Sequence, residues 1–292
     1  MKKINSPVFI LLLLFSACSS PQPEQNITVK NGDVNIAYTK SGNSDTAIVF
    51  VHGWGINKEY WKSDADKLNK RYTIVALDLG GHGASGHNRG NWTIDDFAGD
   101  VIATIDSLHL NKVILVGHSM GGDIILDAAN KLQGKIIGLI GIDNFKDVGA
   151  QFTQEQRQQI DSFIEGLHKN YKQTALAFSR GSLFPPNYAD TTSVNRVLKD
   201  IGNMDSVVAT QAILSALEFS QKEKELLMQL PLPLHLIVSD YTPTMQDSLA
   251  KYCKSGYAVK TIHGTGHYPM IEKPAEFNQL LDETIDEISK GK

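Results

Sequence analysis

The stretch Lys112-Val-Ile-Leu-Val-Gly-His-Ser-Met-Gly-Gly122 decides the fold of this 292-residue chain. Its first half is an unbroken apolar run without alternation, as expected of a strand buried on both faces of a parallel sheet. A glycine-rich turn follows, and Asp123 to Leu132 then has helical period. In a strand, sharp turn and helix of this kind, the small flanks Gly117 and Gly121 let the backbone pass close to its neighbours. Ser119 can then sit in a strained conformation that lifts its Oγ above the sheet. Ser119 is therefore a candidate nucleophile.

Similar buried runs recur on either side, at Ala47–Val51, Tyr72–Leu77, Ile136–Ile142, Leu234–Val238 and Ala258–Ile262. Upstream, Ile27 to Tyr38 alternates polar and apolar residues around Asn31-Gly32, a hairpin signal. Between the runs, Ile94 to Leu108 puts Phe97, Val101, Ile105 and Leu108 on one helical face, and Pro274 to Ile288 does the same with Phe277, Leu280, Leu281 and Ile285. Strands alternating with helices predict an α/β fold with a doubly wound, mostly parallel sheet. The alternation fails over about 145–230, where only helical periods occur (153–171, 172–180, 192–201 and 206–219) and Pro185-Pro186 punctuates the middle. This block is expected to be a helical cap inserted over the carboxyl edge of the sheet, within one domain spanning 27–292.

Composition supports a single large core: 41% of residues are hydrophobic and 21% charged. The formal net charge of −4, mixed along the chain, offers no basic stripe for nucleic acid. No metal or cofactor pattern is expected. The first residues belong to targeting rather than to the fold. Lys2 and Lys3 precede the apolar run Val8–Phe15, too short to span a bilayer as a mature helix, and Ser16-Ala17-Cys18 follows. This resembles a bacterial lipoprotein signal over 1–17, although Phe15 stands where that pattern prefers Leu. The resemblance implies export to the cell envelope, lipidation of Cys18 and a membrane anchor, with 18–26 as a flexible tether. The chain has two cysteines, so lipidation would leave Cys253 alone and no disulfide framework.

Two further motifs complete the chemistry. An attacking serine creates an oxyanion, which needs two backbone N–H donors. Met120, next after the nucleophile, is expected to supply one. Trp54, in the loop His52-Gly53-Trp54-Gly55 after the run Ala47–Val51, is expected to supply the other. His52 precedes the nucleophile in the chain, and bracing of that loop is its expected role. Of the nine histidines, only His267, in Gly264-Thr-Gly-His-Tyr-Pro269 after the last strand, has both the chain order and the loop context of a general base.

His52-Gly53, Leu77-Asp-Leu-Gly-Gly-His-Gly-Ala-Ser85, Gly117-Ser119-Gly121 and Gly266-His267 with Glu272-Lys273-Pro274 together resemble the capped branch of the α/β-hydrolase superfamily. The resemblance covers nearly everything after residue 30 except the cap. It implies the fold and a Ser–acid–His triad, and it says little about substrate. The acid stays open. The family's usual position falls on Thr242, which cannot support an imidazolium. Asp240 lies two residues earlier. Asp143, ending the run Ile136–Ile142, resembles the position where some dehalogenases keep their acid, and motif register favours it over Asp240. The expected activity is hydrolysis of a small ester, lactone or related acyl compound through an acyl-serine. C–C bond hydrolysis or perhydrolysis with the same triad, and ligand binding without catalysis, are the alternatives.

Overall fold

The computed structural model describes residues 27–290. The leader, Cys18 and the tether expected at the N-terminus lie outside the described residues. Eight strands, β1 (Ile27–Asn31), β2 (Val34–Ser41), β3 (Thr46–Val51), β4 (Thr73–Leu77), β5 (Lys112–His118), β6 (Ile136–Ile142), β7 (Leu234–Ser239) and β8 (Tyr257–Ile262), form one sheet ordered β1-β2-β4-β3-β5-β6-β7-β8. β1 and β2 make the hairpin, with Gly32 at φ +58° in the turn that Asn31-Gly32 signalled. β2 pairs antiparallel with β4, and every later pairing is parallel.

All five residues of β4 are buried, so both faces of the sheet centre are covered. Helices α2 (Ile94–Ser107) and α3 (Met120–Lys131) pack together, with α3 lying on β5 and β6. Helices α1 (Lys62–Leu68) and α9 (Pro274–Lys290) form a second pair, touching β4, β7 and β8. Thr93 starts α2 with a capping box, its hydroxyl accepting from the N–H of Asp96 while the Asp96 carboxylate accepts from the N–H of Thr93.

Between β6 and β7 lie three long helices, α4 (Gln154–Ser182), α5 (Thr191–Gly202) and α6 (Ser206–Gln229). Helix α4 breaks at Asn170 (φ −153°, ψ 77°), at the boundary between two separate helical periods in the sequence. Side chains of Thr153, Asp190 and Asp205 cap the three helix starts. Helix α6 runs ten residues beyond the period read from sequence, because its second half carries Lys222-Glu-Lys-Glu225, where charge masks the apolar face. The short helices α1, α7 (Gln246–Tyr252) and α8 (Pro269–Glu272) also left no readable period.

Parallel register brings the working ends of the strands to one edge. Val51 stands opposite Gly117, Gly117 opposite Gly141, and Ile142 opposite Ile237. The residues that follow, His52, Ser119, Asp143 and Asp240, therefore emerge along that edge. This is also where strand order reverses, β3 having β4 on one side and β5 on the other, and such reversals open a crevice at the carboxyl edge.

Candidate active site

Ser119 occupies φ +52°, ψ −125°, a conformation that a non-glycine residue adopts only under constraint. Three hydrogen bonds supply that constraint: Ser119 N–H donates to Ile142 O (3.0 Å), and Ser119 O accepts from Gly122 N–H (2.7 Å) and from Asn144 Nδ2 (2.6 Å). The flanking glycines are required sterically. A Cβ on Gly117 would stand 2.2 Å from Gly121 O, and one on Gly121 would stand 2.6 Å from Val51 O. Ser119 caps α3, one turn earlier than the helix read from sequence, and its side chain reaches the cavity below α4 and α6.

His267 follows β8 on a glycine loop. Its N–H donates to Leu183 O at the end of α4 (2.9 Å), tying the loop to the cap. Its Nδ1 lies 2.6 Å from Asp143 Oδ2. Asp143 is buried at φ +46°, and its N–H donates to Ile237 O. The other carboxylate oxygen, Oδ1, accepts from Ser239 N–H (2.8 Å) and Ser239 Oγ (2.9 Å) and pairs with Lys146 Nζ (2.7 Å). Burial pushes the Asp143 carboxyl up. The hydrogen bond and charge of His267, together with Lys146, more than reverse this and hold it well below the usual carboxylate range. Asp240 is exposed and faces elsewhere: its oxygens accept from Gly264 N–H (3.0 Å) and meet His263 Nδ1 (3.0 Å). Of the two acids left open by the sequence, the structure brings Asp143 to His267 and leaves Asp240 on His263.

The other histidines have structural partners or solvent. The Nε2 of His52 accepts from Leu79 N–H (3.0 Å), so its Nδ1 carries the proton donated to Gly53 O (2.8 Å). Burial lowers its pKa, and the neutral ring bridges two loops. His118 is buried and donates from Nε2 to His267 O (2.7 Å); burial, aided by the nearby His267, pushes its pKa down to about 3. His168 and His263 are exposed, and His235 lies half-buried in β7.

Ser119, His267, Asp143, Trp54 and Met120 all line one cavity of about 590 Å³. The Trp54 indole donates to Ala209 O on α6 (2.8 Å), which fixes its ring against the cap. Lys146, Ser239, Asn144 and the cavity carboxyls Asp123 and Glu223 went unread in the sequence. Each looks like an ordinary polar residue of a loop or helix until the fold gathers them. Burial raises the Asp123 carboxyl to about 7 and pushes Glu223 up as well. Among the described residues, no group of three or more His, Cys, Asp or Glu is placed to hold a metal ion.

Residues 48–280 match the model of the alpha/beta hydrolase family. The chain belongs to this family. Among curated proteins, it is 24% identical to the dihydrolipoyllysine-residue acetyltransferase component of the acetoin cleaving system of Cupriavidus necator, over 85% of this chain; the match spans 66% of that relative, just under two thirds of its length. Among solved structures, a thermophilic esterase from Thermogutta terrifontis superposes with TM-score 0.77 and 20% identity, covering 90% of this chain and 99% of the esterase. The enol-lactonase of Burkholderia xenovorans LB400 does so with TM-score 0.74 and 16% identity, covering 87% and 97%. At these identities the likeness is one of fold.

Proposed function

We propose that this family member is a serine hydrolase of small esters, lactones or related acyl compounds, with Ser119 as nucleophile, His267 as general base and Asp143 as the acid. The observation that carries this reading is the 2.6 Å contact between His267 Nδ1 and Asp143 Oδ2, made in the same cavity that Ser119 enters from its strained turn. Nδ1 bears the proton donated to Asp143, so Nε2 is left with its lone pair. Nε2 takes the Oγ proton as Oγ bonds to the acyl carbon, and the carbonyl electron pair moves to oxygen. The backbone N–H groups of Met120 and Trp54 receive that oxyanion. Collapse breaks the bond to the leaving group, which takes the proton from His267. Water, deprotonated by the same nitrogen, then releases the acid and restores Ser119.

The cavity suits a modest acyl group. Its volume lies within the range of small-molecule pockets, and Trp54, Phe145, Phe152, Leu183, Ile213 and Leu217 form apolar walls. A fluorophosphonate probe is expected to label Ser119, and p-nitrophenyl esters and lactones of graded chain length are expected to show turnover that peaks at short chains. Binding without labelling or turnover would instead favour a ligand-binding role. The leader and Cys18 support a second proposal, that the enzyme works in the cell envelope on an N-terminal lipid anchor.

A further inference from the structure

Lys146 lines this site without a part in the triad chemistry. Its ammonium is buried, 2.7 Å from Asp143 Oδ1, and it donates to Ser239 O (2.9 Å), Ser239 Oγ (3.1 Å) and Thr242 Oγ1 (2.9 Å). Ser239 relays the contact: its hydroxyl accepts from Lys146 and donates to Asp143 Oδ1. The backbone is committed as well. Lys146 O accepts from Met245 N–H (2.7 Å), and the left-handed residues Asp143 and Phe145 (φ +56°) turn the loop back on itself.

We propose that Lys146 is a positioning residue for the triad: it orients the Asp143 carboxylate by its Oδ1 edge and offsets the carboxylate charge facing His267. The proposal rests on the serine-hydrolase reading for its purpose. Its geometry rests on Asp143, Ser239 and Thr242 alone. A carboxylate whose Oδ1 accepts from Ser239 N–H and Ser239 Oγ and faces the Lys146 ammonium has one orientation left, with Oδ2 toward His267. A buried carboxylate alone would strongly favour the imidazolium; paired with an ammonium it favours that cation less.

The other groups around His267 do not supply this offset. Asp143 faces it from the end of β6 and Glu272 from α8, both acidic. From β5 comes the neutral ring of His118, with centroids 4.8 Å apart. Ser119 shares its cavity, and the end of α4 offers only the Leu183 carbonyl. Lys146 is the cation nearest to Asp143 among the described residues.

The test is an NMR titration of His267 in the full chain labelled with ¹³C-histidine, its signal assigned with His267→Gln. Lys146→Gln keeps hydrogen-bonding capacity and removes the charge; it is expected to raise the His267 midpoint by about one pH unit. Lys146→Arg keeps the charge and is expected to titrate near the wild type. A folded Lys146→Gln with an unmoved midpoint overturns the proposal and leaves Lys146 a brace of the loop. If Lys146→Gln does not fold, Lys146→Met, which keeps an unbranched apolar stem without the ammonium, gives the same reading, and loss of the fold in both also assigns a purely structural role. The titration needs no turnover, so its failure is separate from any failure of Ser119 to react with a fluorophosphonate.

Discussion

Glu272 holds His267 by both shoulders: one carboxylate oxygen accepts the N–H of Gly266 (2.6 Å) and the other the N–H of Tyr268 (2.7 Å). The histidine loop is loosened by two glycines, Gly264 and Gly266, so it needs this clamp to present one ring orientation. Glu272→Gln keeps one acceptor and turns the other into a donor facing an N–H. A misplacement of the base by about 1 Å can cost about 10² in rate. Steady-state kinetics of Glu272→Gln are therefore expected to show kcat reduced by up to about 10², with KM changed much less; unchanged kcat would remove Glu272 from the positioning of His267.

Ser119→Ala is expected to lower kcat by about 10⁶ while the fold persists, since Oγ faces the cavity. Ser119→Gly goes further in one respect. Relief of the positive φ is expected to stabilise the fold by about 1 kcal/mol, or roughly 2 °C in Tm for a chain of this size. Circular-dichroism melts of the two variants separate these effects, and a glycine variant that melts below the alanine one contradicts the strain assigned to this turn.

The two acids separate by kinetics. Asp143→Asn is expected to reduce kcat by up to about 10⁴, because it removes the anion that fixes the His267 tautomer and supports its cation. Asp240→Asn, which loses only contacts to His263 and Gly264, is expected to stay within a few-fold of wild type. The reverse ranking, in folded variants, would move the acid to Asp240.

Asp64 sets a pH dependence of stability. It is fully buried in α1 with neither carboxylate oxygen hydrogen-bonded, and burial pushes its pKa well above the usual carboxylate range. Between its unfolded pKa and its raised folded pKa, the native state binds a proton that the unfolded state has released. This contribution therefore erodes stability as pH rises through that window. Asp64→Asn does not titrate, so its Tm relative to wild type is expected to rise from pH 4 to pH 8. A difference that stays flat across that range contradicts the assignment.

Cys18→Ser tests the proposed anchor. The substituted protein is expected to accumulate as an unprocessed precursor, whereas the wild type fractionates with membranes. Normal processing and release of Cys18→Ser, followed by immunoblot, would favour ordinary secretion.

The frame was legible because burial on both faces leaves an unambiguous mark. The run Val113–Val116 has no polar residue, and each such run became a strand, although β8, at the sheet edge, is mostly half-buried rather than covered on both faces. The serine turn was legible because close backbone approach at Gly117 and Gly121 demands glycine. Lys146 was not legible. Its position depends on two left-handed residues, Asp143 and Phe145, whose side chains give no sign of that conformation. Glu223 was hidden in the charged run Lys222–Glu225, and it is buried only once α6 packs on its neighbouring helices.

The cap begins a few residues after Asp143, and its first long helix ends where Leu183 O accepts the His267 N–H. The element that roofs the cavity is therefore tied to the His267 loop at the C-terminal end of α4 and joined through the chain to the Asp143 turn at its other end. Transplanting a cap from a relative would carry away the Leu183 carbonyl and strain the Asp143–Lys146 turn. New selectivity in this scaffold is more readily reached by changing single wall residues, such as Phe152, Ile213 or Leu217, than by recombining whole modules.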